Sequence, residues 1–466
     1  MSSEKRRLIA HLMRRAGFGV TSNELDRLEG LDYDSIVDDL LDPTDTSWIG
    51  DHLVRRFHHE QSGMISAFGP SEYWLYRMVT TKAPLIEKVT LFWHGIFATG
   101  YPKVVHGKVL SNQIAMFRRN GLGRFNDLLV ELSKDPAMIV WLDNQDNHNR
   151  AINENYGREL LELFSLGVGN YSEDDIKEAA RAFTGWTIGN TEYMVVRSNR
   201  DSDWPYGRIA WHFEFKKDDH DNREKTFLGE TGNFNGEDIV EIICKQAATA
   251  RFISRHMYHF FVADEPQVPQ WPHVEPQDPA AIQQLVDAYF SSNYSIKEML
   301  RTLFKSDFFK SEDVRYKRMK SPAELVTGIL RLSGHLDRPR REIMVHAMKM
   351  QYMGQWLHNP PSVEGWHQGK EWIETGNLVE RVNFASEQLG DMNMPGVASI
   401  VSMIVDEGVS GDELFERCLG ELGEFELSDG TDESLRKYAS ASGPADEEKA
   451  TGMLRLIAAC PEFQLC

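Results

Sequence analysis

The segment NHNRAINENYGRELLELFSLGVGNYSEDDIKEAARAFTGW, residues 147–186, constrains the fold most, because it dictates two consecutive helices and crowds charge along the first. Ile152, Tyr156, Leu160, Leu163 and Phe164 repeat with helical spacing and form a single apolar face. Gly167 and Gly169 supply the stop. Ser172 and Asp175 read as the capping box of a second helix that turns Ile176, Ala179, Ala180 and Phe183 inward.

At roughly 100° per residue, Asn155, Glu159 and Glu162 share a strip bordering the apolar face and should be partly buried. Arg158 lies four residues from both Glu154 and Glu162 and can pair with either. Glu159 has no basic residue three or four positions away, so its partner must come from elsewhere in the fold. Two neighbouring carboxylates repel, and one pKa then rises towards neutrality, as proton transfer at working pH requires. Glu159 and Glu162, with Arg158 beside them, are therefore candidate catalytic groups. His148, Arg150 and Asn155 are candidate substrate-binding groups on the same stretch. The competing reading is a salt-bridged, solvated helix edge.

A second helix, PLIEKVTLFWHGIFA from Pro84, is apolar on nearly every face and should be surrounded by protein. It carries His94, either a hydrogen-bonded core residue or a further catalytic group, and Gly95, which permits close approach by another backbone or a ligand. Further along, Asp218, Asp219, His220 and Asp221 sit in a turn or hairpin region. His220 and Asp221 are candidate ligands for a divalent metal, although no HExxH, EF-hand or paired CxxC spacing accompanies them. Trp186, Trp366 and Trp372 lie in loop-like contexts where a flat ring can stack on a sugar, or simply pack in the core.

Helical periodicity dominates the rest, so the expected fold is mainly α: a multi-helix globular body with a small β-hairpin or sheet insert. Residues 1–395 read as the main body and 396–466 as a C-terminal helical unit, with a capping box at Ser410–Glu413. The insert spans about 186–235, where the runs TEYMVVRS and RIAWHFEF suggest two to four strands. Residues 264–279, DEPQVPQWPHVEPQDP, hold five prolines and read as a surface loop or linker. A second loop, rich in Pro, Gly and Trp, follows Met353. The acidic stretch SDGTDESLRKYASASGPADEE reads as an exposed connection.

The 466 residues suffice for a large core, and a formal charge of −20 disfavours nucleic-acid and anionic-membrane partners. Local clusters such as Arg14–Arg15 and Arg118–Arg119 still leave room for an anionic small-molecule substrate. The four cysteines have no paired spacing, which argues against a disulfide framework, a structural zinc site or a haem attachment site. No stretch is long and apolar enough to span a bilayer, and the first residues lack the apolar core of a signal peptide, so the expected location is cytoplasmic.

Several long motifs occur in order between about Leu8 and Ser386: HLMRRAGFG, FWHGIFAT, the 147–186 segment, HDNREKTFLGETGNFNGEDIVEII, SPAELVTGILR and MGQWLHNPPSVEGW. Together they resemble the bacterial family catalogued as domain of unknown function 1800. The resemblance implies a mostly helical bacterial protein and supplies no agreed catalytic residues, so none is carried over. Related chains frequently carry export signals and are often encoded beside sulfatase-like proteins.

Two functions fit these residues. The first is a hydrolase-type enzyme acting on a glycan or other polar polymer, with Glu159 as acid/base, Glu162 or His94 as second group, and His220 with Asp221 orienting substrate or a divalent metal. The second is a non-catalytic binding or assembly protein that uses the aromatic loops as an interface. Convergence of Glu159, His94 and His220 in one cleft would favour the enzyme.

Overall fold

The structure is a computed structural model that describes residues 4–48, 68–189, 211–336, 338–366, 368–406, 409, 411–441 and 446–466. Among these the chain is helical apart from two small antiparallel sheets. The first pairs β1 (Trp186–Gly189) with β2 (His212–Phe215), and the second pairs β3 (Lys225–Phe227) with β4 (Glu230–Gly232). This is the mainly α body with a small β insert that the periodicity predicts. The run TEYMVVRS lies outside the described residues, as does Ser410 of the expected C-terminal capping box.

The 147–186 segment folds as two helices, Asn155–Glu162 and Glu173–Ala182. Ser172 caps the second by a reciprocal capping box with Asp175, as its spacing requires. Gly157 lets the two helices touch: a Cβ there would stand 3.1 Å from both Ile176 O and Ala180 N. Asp175 Oδ1 also accepts from Leu228 N–H, and Glu178 Oε2 from Thr226 N–H, which docks the β3–β4 hairpin on the second helix.

Helix Pro84–Ile96 starts with Pro at its first turn and is buried along almost its whole length, including Glu87, Lys88 and His94. Buried charge needs partners, and both ions have them. Glu87 accepts from Arg77, Arg118 and Trp74. Lys88 Nζ donates to Glu324 Oε1 and to the carbonyls of Arg14 and Gly17. Glu324 in turn takes both Nη atoms of Arg318, at 2.8 and 2.7 Å. Although burial pushes the Glu324 carboxyl up, Arg318 and Lys88 together hold it well below the usual carboxylate range.

The helices from Pro395 to Ala459 pack on Thr375–Leu389 and Pro322–Ser333, and one hydrophobic core runs through all of them. The acidic stretch after Ser428 is not merely a connection, because Asp429–Ala439 forms a helix that buries Leu435 and Ala439. Two apolar residues four apart suffice to anchor it, whereas charge density alone suggested a loose segment. All four cysteines are free thiols and buried. No described helix is long and apolar enough to cross a membrane.

Removing one member of a buried ion cluster leaves the others uncompensated. Glu324→Ala is therefore expected to cost about 3–5 kcal/mol of stability, read by urea denaturation at pH 7. Because its folded pKa is depressed, the stability Glu324 contributes is complete above the ordinary glutamate value of 4.5 and is lost as pH falls through the folded pKa. The penalty of the variant should accordingly shrink in strong acid.

Candidate functional site

A cleft of about 750 Å³ opens between the end of helix Asn155–Glu162, helix Ala247–Phe261 and two irregular loops. Glu162, Glu364, Trp366, His256, His259 and Trp271 are among its walls. One loop is the proline-rich segment 264–279, which is not a free linker. Arg255 grips it from the helix, pairing with Glu265 and donating to Val274 O at 2.8 Å, with its guanidinium 4.7 Å from the centre of the Trp271 ring. The other loop follows Met353 and brings Glu364, Trp366 and Gln368.

His259 ties the two loops together. Its Nδ1 accepts from Glu265 N–H and its Nε2 donates to Gln368 Oε1, both at 2.8 Å. Gln267 Nε2 adds a bond to Gln368 O. The second loop is seated against helix Pro84–Ile96 through Gly365, whose φ of +86° suits glycine and whose added Cβ would lie 2.5 Å from Gly95 O. The close backbone approach expected at Gly95 is thus made by Gly365.

Glu159 is half-buried one turn before Leu163, another wall residue, and is not itself among the residues that line the cleft. Burial first, then the charges of Glu162 and Glu364, push its carboxyl up to about 7 against the opposing pull of Arg158. Glu162 lines the cleft, and its Oε2 accepts from the Tyr171 hydroxyl at 2.8 Å. The two acids thus differ in environment as their spacing predicts, and Glu364, from a loop two hundred residues away, completes the group. Arg158 turns outward and pairs with Glu173 and Glu154, leaving Glu162 to Tyr171.

The other candidates fall elsewhere. His94 is in the core behind the cleft, with Nε2 accepting from His358 N–H at 3.1 Å and its ring 5.1 Å from that of Trp366. Burial, and then His358, hold its pKa well below the usual histidine value. His148 is exposed and bonded to Asp219 at 2.5 Å, Arg150 is exposed, and Asn155 reaches Asp143. None of the three lines the cleft. His220 donates to Thr184 O or accepts from Thr184 Oγ1, and the Asp221 carboxylate is enclosed by Arg181 and Arg223. Two guanidiniums on one carboxylate serve to hold the insert, and neither His220 nor Asp221 reaches the cleft. No group of three or more His, Cys, Asp or Glu side chains among the described residues is placed to hold a metal ion.

Of the three tryptophans, Trp186 is β1 core, 1% exposed, with Nε1 bonded to Asn235. A strand position facing the helices buries the ring, so it offers no stacking surface. Trp366 contributes to the cleft, and Trp372 lies deeper, below it. Sequence reasoning passed over His256, His259, Trp271 and Glu364. The signal for the first two was present: Arg255, His256 and His259 crowd one apolar helix as Glu159 and Glu162 do theirs.

The chain matches the family described as protein of unknown function (DUF1800) over residues 11–465. No curated protein and no solved structure matches it.

A raised pKa is also a stability statement. The stability Glu159 contributes in its protonated form is complete below the ordinary glutamate value of 4.5 and is lost as pH rises through about 7. Glu159→Gln should therefore fold normally and melt at higher temperature than the wild type at pH 8, with little difference at pH 4; equal melting at both pH values would show an ordinary, solvated acid.

Proposed function

We propose that this chain, which belongs to the DUF1800 family, is a hydrolase-type enzyme that cleaves a glycan or other polar polymer with a pair of carboxyl groups. The observation that carries the reading is a half-buried Glu159 held protonated up to about pH 7 by burial and by Glu162, the acid that lines a large cleft. A group that is still protonated near neutrality yet ready to release its proton is suited to general acid catalysis on a leaving oxygen. Glu162, on the cleft wall, is the second carboxyl, acting on water or on the reacting carbon.

The remaining walls fit a polymer. Two loops enclose the space on opposite sides, and the rings of Trp271 and Trp366 give it flat apolar surface among polar groups. A binder that used the aromatic loops alone would gain nothing from a carboxyl whose pKa is raised to about 7, since placing it there opposes folding at neutral pH.

Incubating the wild type with a panel of neutral and amino-sugar polysaccharides should release reducing ends, with a rate that declines as pH rises through about 7. Glu159→Gln should lower that rate by about 10²- to 10⁴-fold while circular dichroism stays unchanged. A wild type that cleaves nothing in the panel, or a Glu159→Gln variant as active as the wild type, would count against the reading.

A further inference from the structure

Behind the cleft a small chamber of about 30 Å³ continues inward, sharing His256, His259, Trp366 and Gln368 with it. Since roughly 10–15 Å³ of such space holds one water, the chamber is too small for a sugar ring and of a size for two or three heavy atoms. One part of its wall is apolar, made by Phe92, Ile96, Trp366 and Trp372.

The polar part is specific. Gln368 accepts the His259 Nε2–H through its Oε1, and Gln355 accepts Ala323 N–H through its own, so each amide has its NH₂ donor left to offer. His256 Nε2 is buried and has no hydrogen-bond partner among the described residues. Its ring is held by Phe252 and Trp271, each 4.5 Å away between ring centres, and burial with the nearby His259 and Arg255 pushes its pKa down to about 3. A neutral imidazole nitrogen left bare in such a place opposes folding unless a ligand meets it.

Charge narrows the choice. Arg318 reaches the chamber but is engaged bidentately by Glu324, and Asp264 sits in the same wall with Oδ2 on Met319 N–H. An ammonium would stand beside the guanidinium and a carboxylate beside Asp264, so a neutral group is favoured. A hydroxyl would leave the apolar wall unmatched. A short amide matches every part: its carbonyl and methyl, three heavy atoms, fill the chamber with the oxygen on the NH₂ donors and the methyl on the aromatic side, while its N–H stays at the mouth that His256 shares with the cleft and meets His256 Nε2.

We propose that this chamber is a subsite for the acetamido group of an amino sugar, so that the polymer entering the cleft is an N-acetylated polysaccharide. The assignment rests on the hydrolase reading for the presence of a glycan, but it concerns binding and can fail separately. The test is calorimetric titration of the wild-type protein with three oligosaccharides of equal length: an N-acetylglucosamine oligomer, its de-N-acetylated form and a glucose oligomer. The acetylated oligomer is expected to bind about tenfold tighter than either other. His256→Phe, which keeps the ring and deletes the nitrogens, and Gln355→Met, which deletes the donor, should each reduce that preference to about threefold or less. Thermal melts of both variants separate lost binding from lost folding.

Equal affinity for the three oligomers, tighter binding of the amine or the plain sugar, or no binding of any would overturn the assignment, whatever the variants do. Preference for the acetylated oligomer without its cleavage would leave the chamber standing and remove the hydrolase. Glu159-dependent cleavage of a plain polymer without acetyl preference would do the reverse.

Discussion

The ion cluster of Lys88, Glu324 and Arg318 is the constraint on which the rest of the molecule depends. It joins helix Pro84–Ile96, helix Pro322–Ser333 and the carbonyls of Arg14 and Gly17 at the end of the first helix. Cys466, the last residue, lies against Arg318 and Arg15 in the same place. Burial penalises every one of these charges, and only their mutual geometry offsets it. An apolar cluster of the same volume could be as stable, but it would accept several packings; donors and acceptors at fixed distances accept one. The cluster therefore acts as a register for elements far apart in the chain, with Lys88 and Glu324 themselves separated by 236 residues.

The floor of the chamber is the roof of that cluster. Arg318 takes part in both, and Asp264, which opens the proline-rich loop, is pinned by Met319 N–H next to it. From this anchor the loop runs past Glu265, which Arg255 holds, to Trp271 and Val274, whose carbonyls Arg255 also faces. Irregular backbone has no ladder of its own and must be held by side chains. Here a few buried polar residues on one helix, Arg255 and His259, hold both loops that shape the cleft. One of those loops also brings Glu364, whose charge adds to burial, the first cause, and to Glu162 in raising the Glu159 pKa. Stability in the core and acidity at the edge are thus set by one arrangement.

Local physics explains what could be read from the chain. The Ser172–Asp175 capping box, the buried character of Pro84–Ile96 and the repulsion between Glu159 and Glu162 each involve residues within one or two turns, so their spacing determines the outcome. Arg158 shows the limit of that reasoning. Two partners lay within helical reach, and it takes Glu154 from its own helix with Glu173 from the next, because the helices touch at Gly157. His94, His148, His220 and Trp186 had the right chemistry, but whether such groups face a cleft, the core or solvent depends on contacts distant in sequence. Glu364 was illegible as a site residue for the same reason: no local pattern says that a loop near residue 364 returns to a helix near residue 159.

Positioning by loops has a further consequence for any reaction in the cleft. A loop ordered only on binding charges its conformational entropy, roughly 1–2 kcal/mol per residue, to the affinity of the substrate. In this fold much of that cost is met on folding, since His259 bridges the loops through the protein's own hydrogen bonds and Gly365 is seated on Gly95 O. The carboxyl groups, the aromatic walls and the bare nitrogen of His256 then wait at fixed separations. Pre-ordered polar groups in a site of low polarity act on a bound group more strongly than mobile ones, because little reorganisation accompanies the reaction. The buried ions beneath the cleft and the uncomfortable acid at its edge are two parts of one solution: the fold bears electrostatic strain where it is rigid enough to keep it.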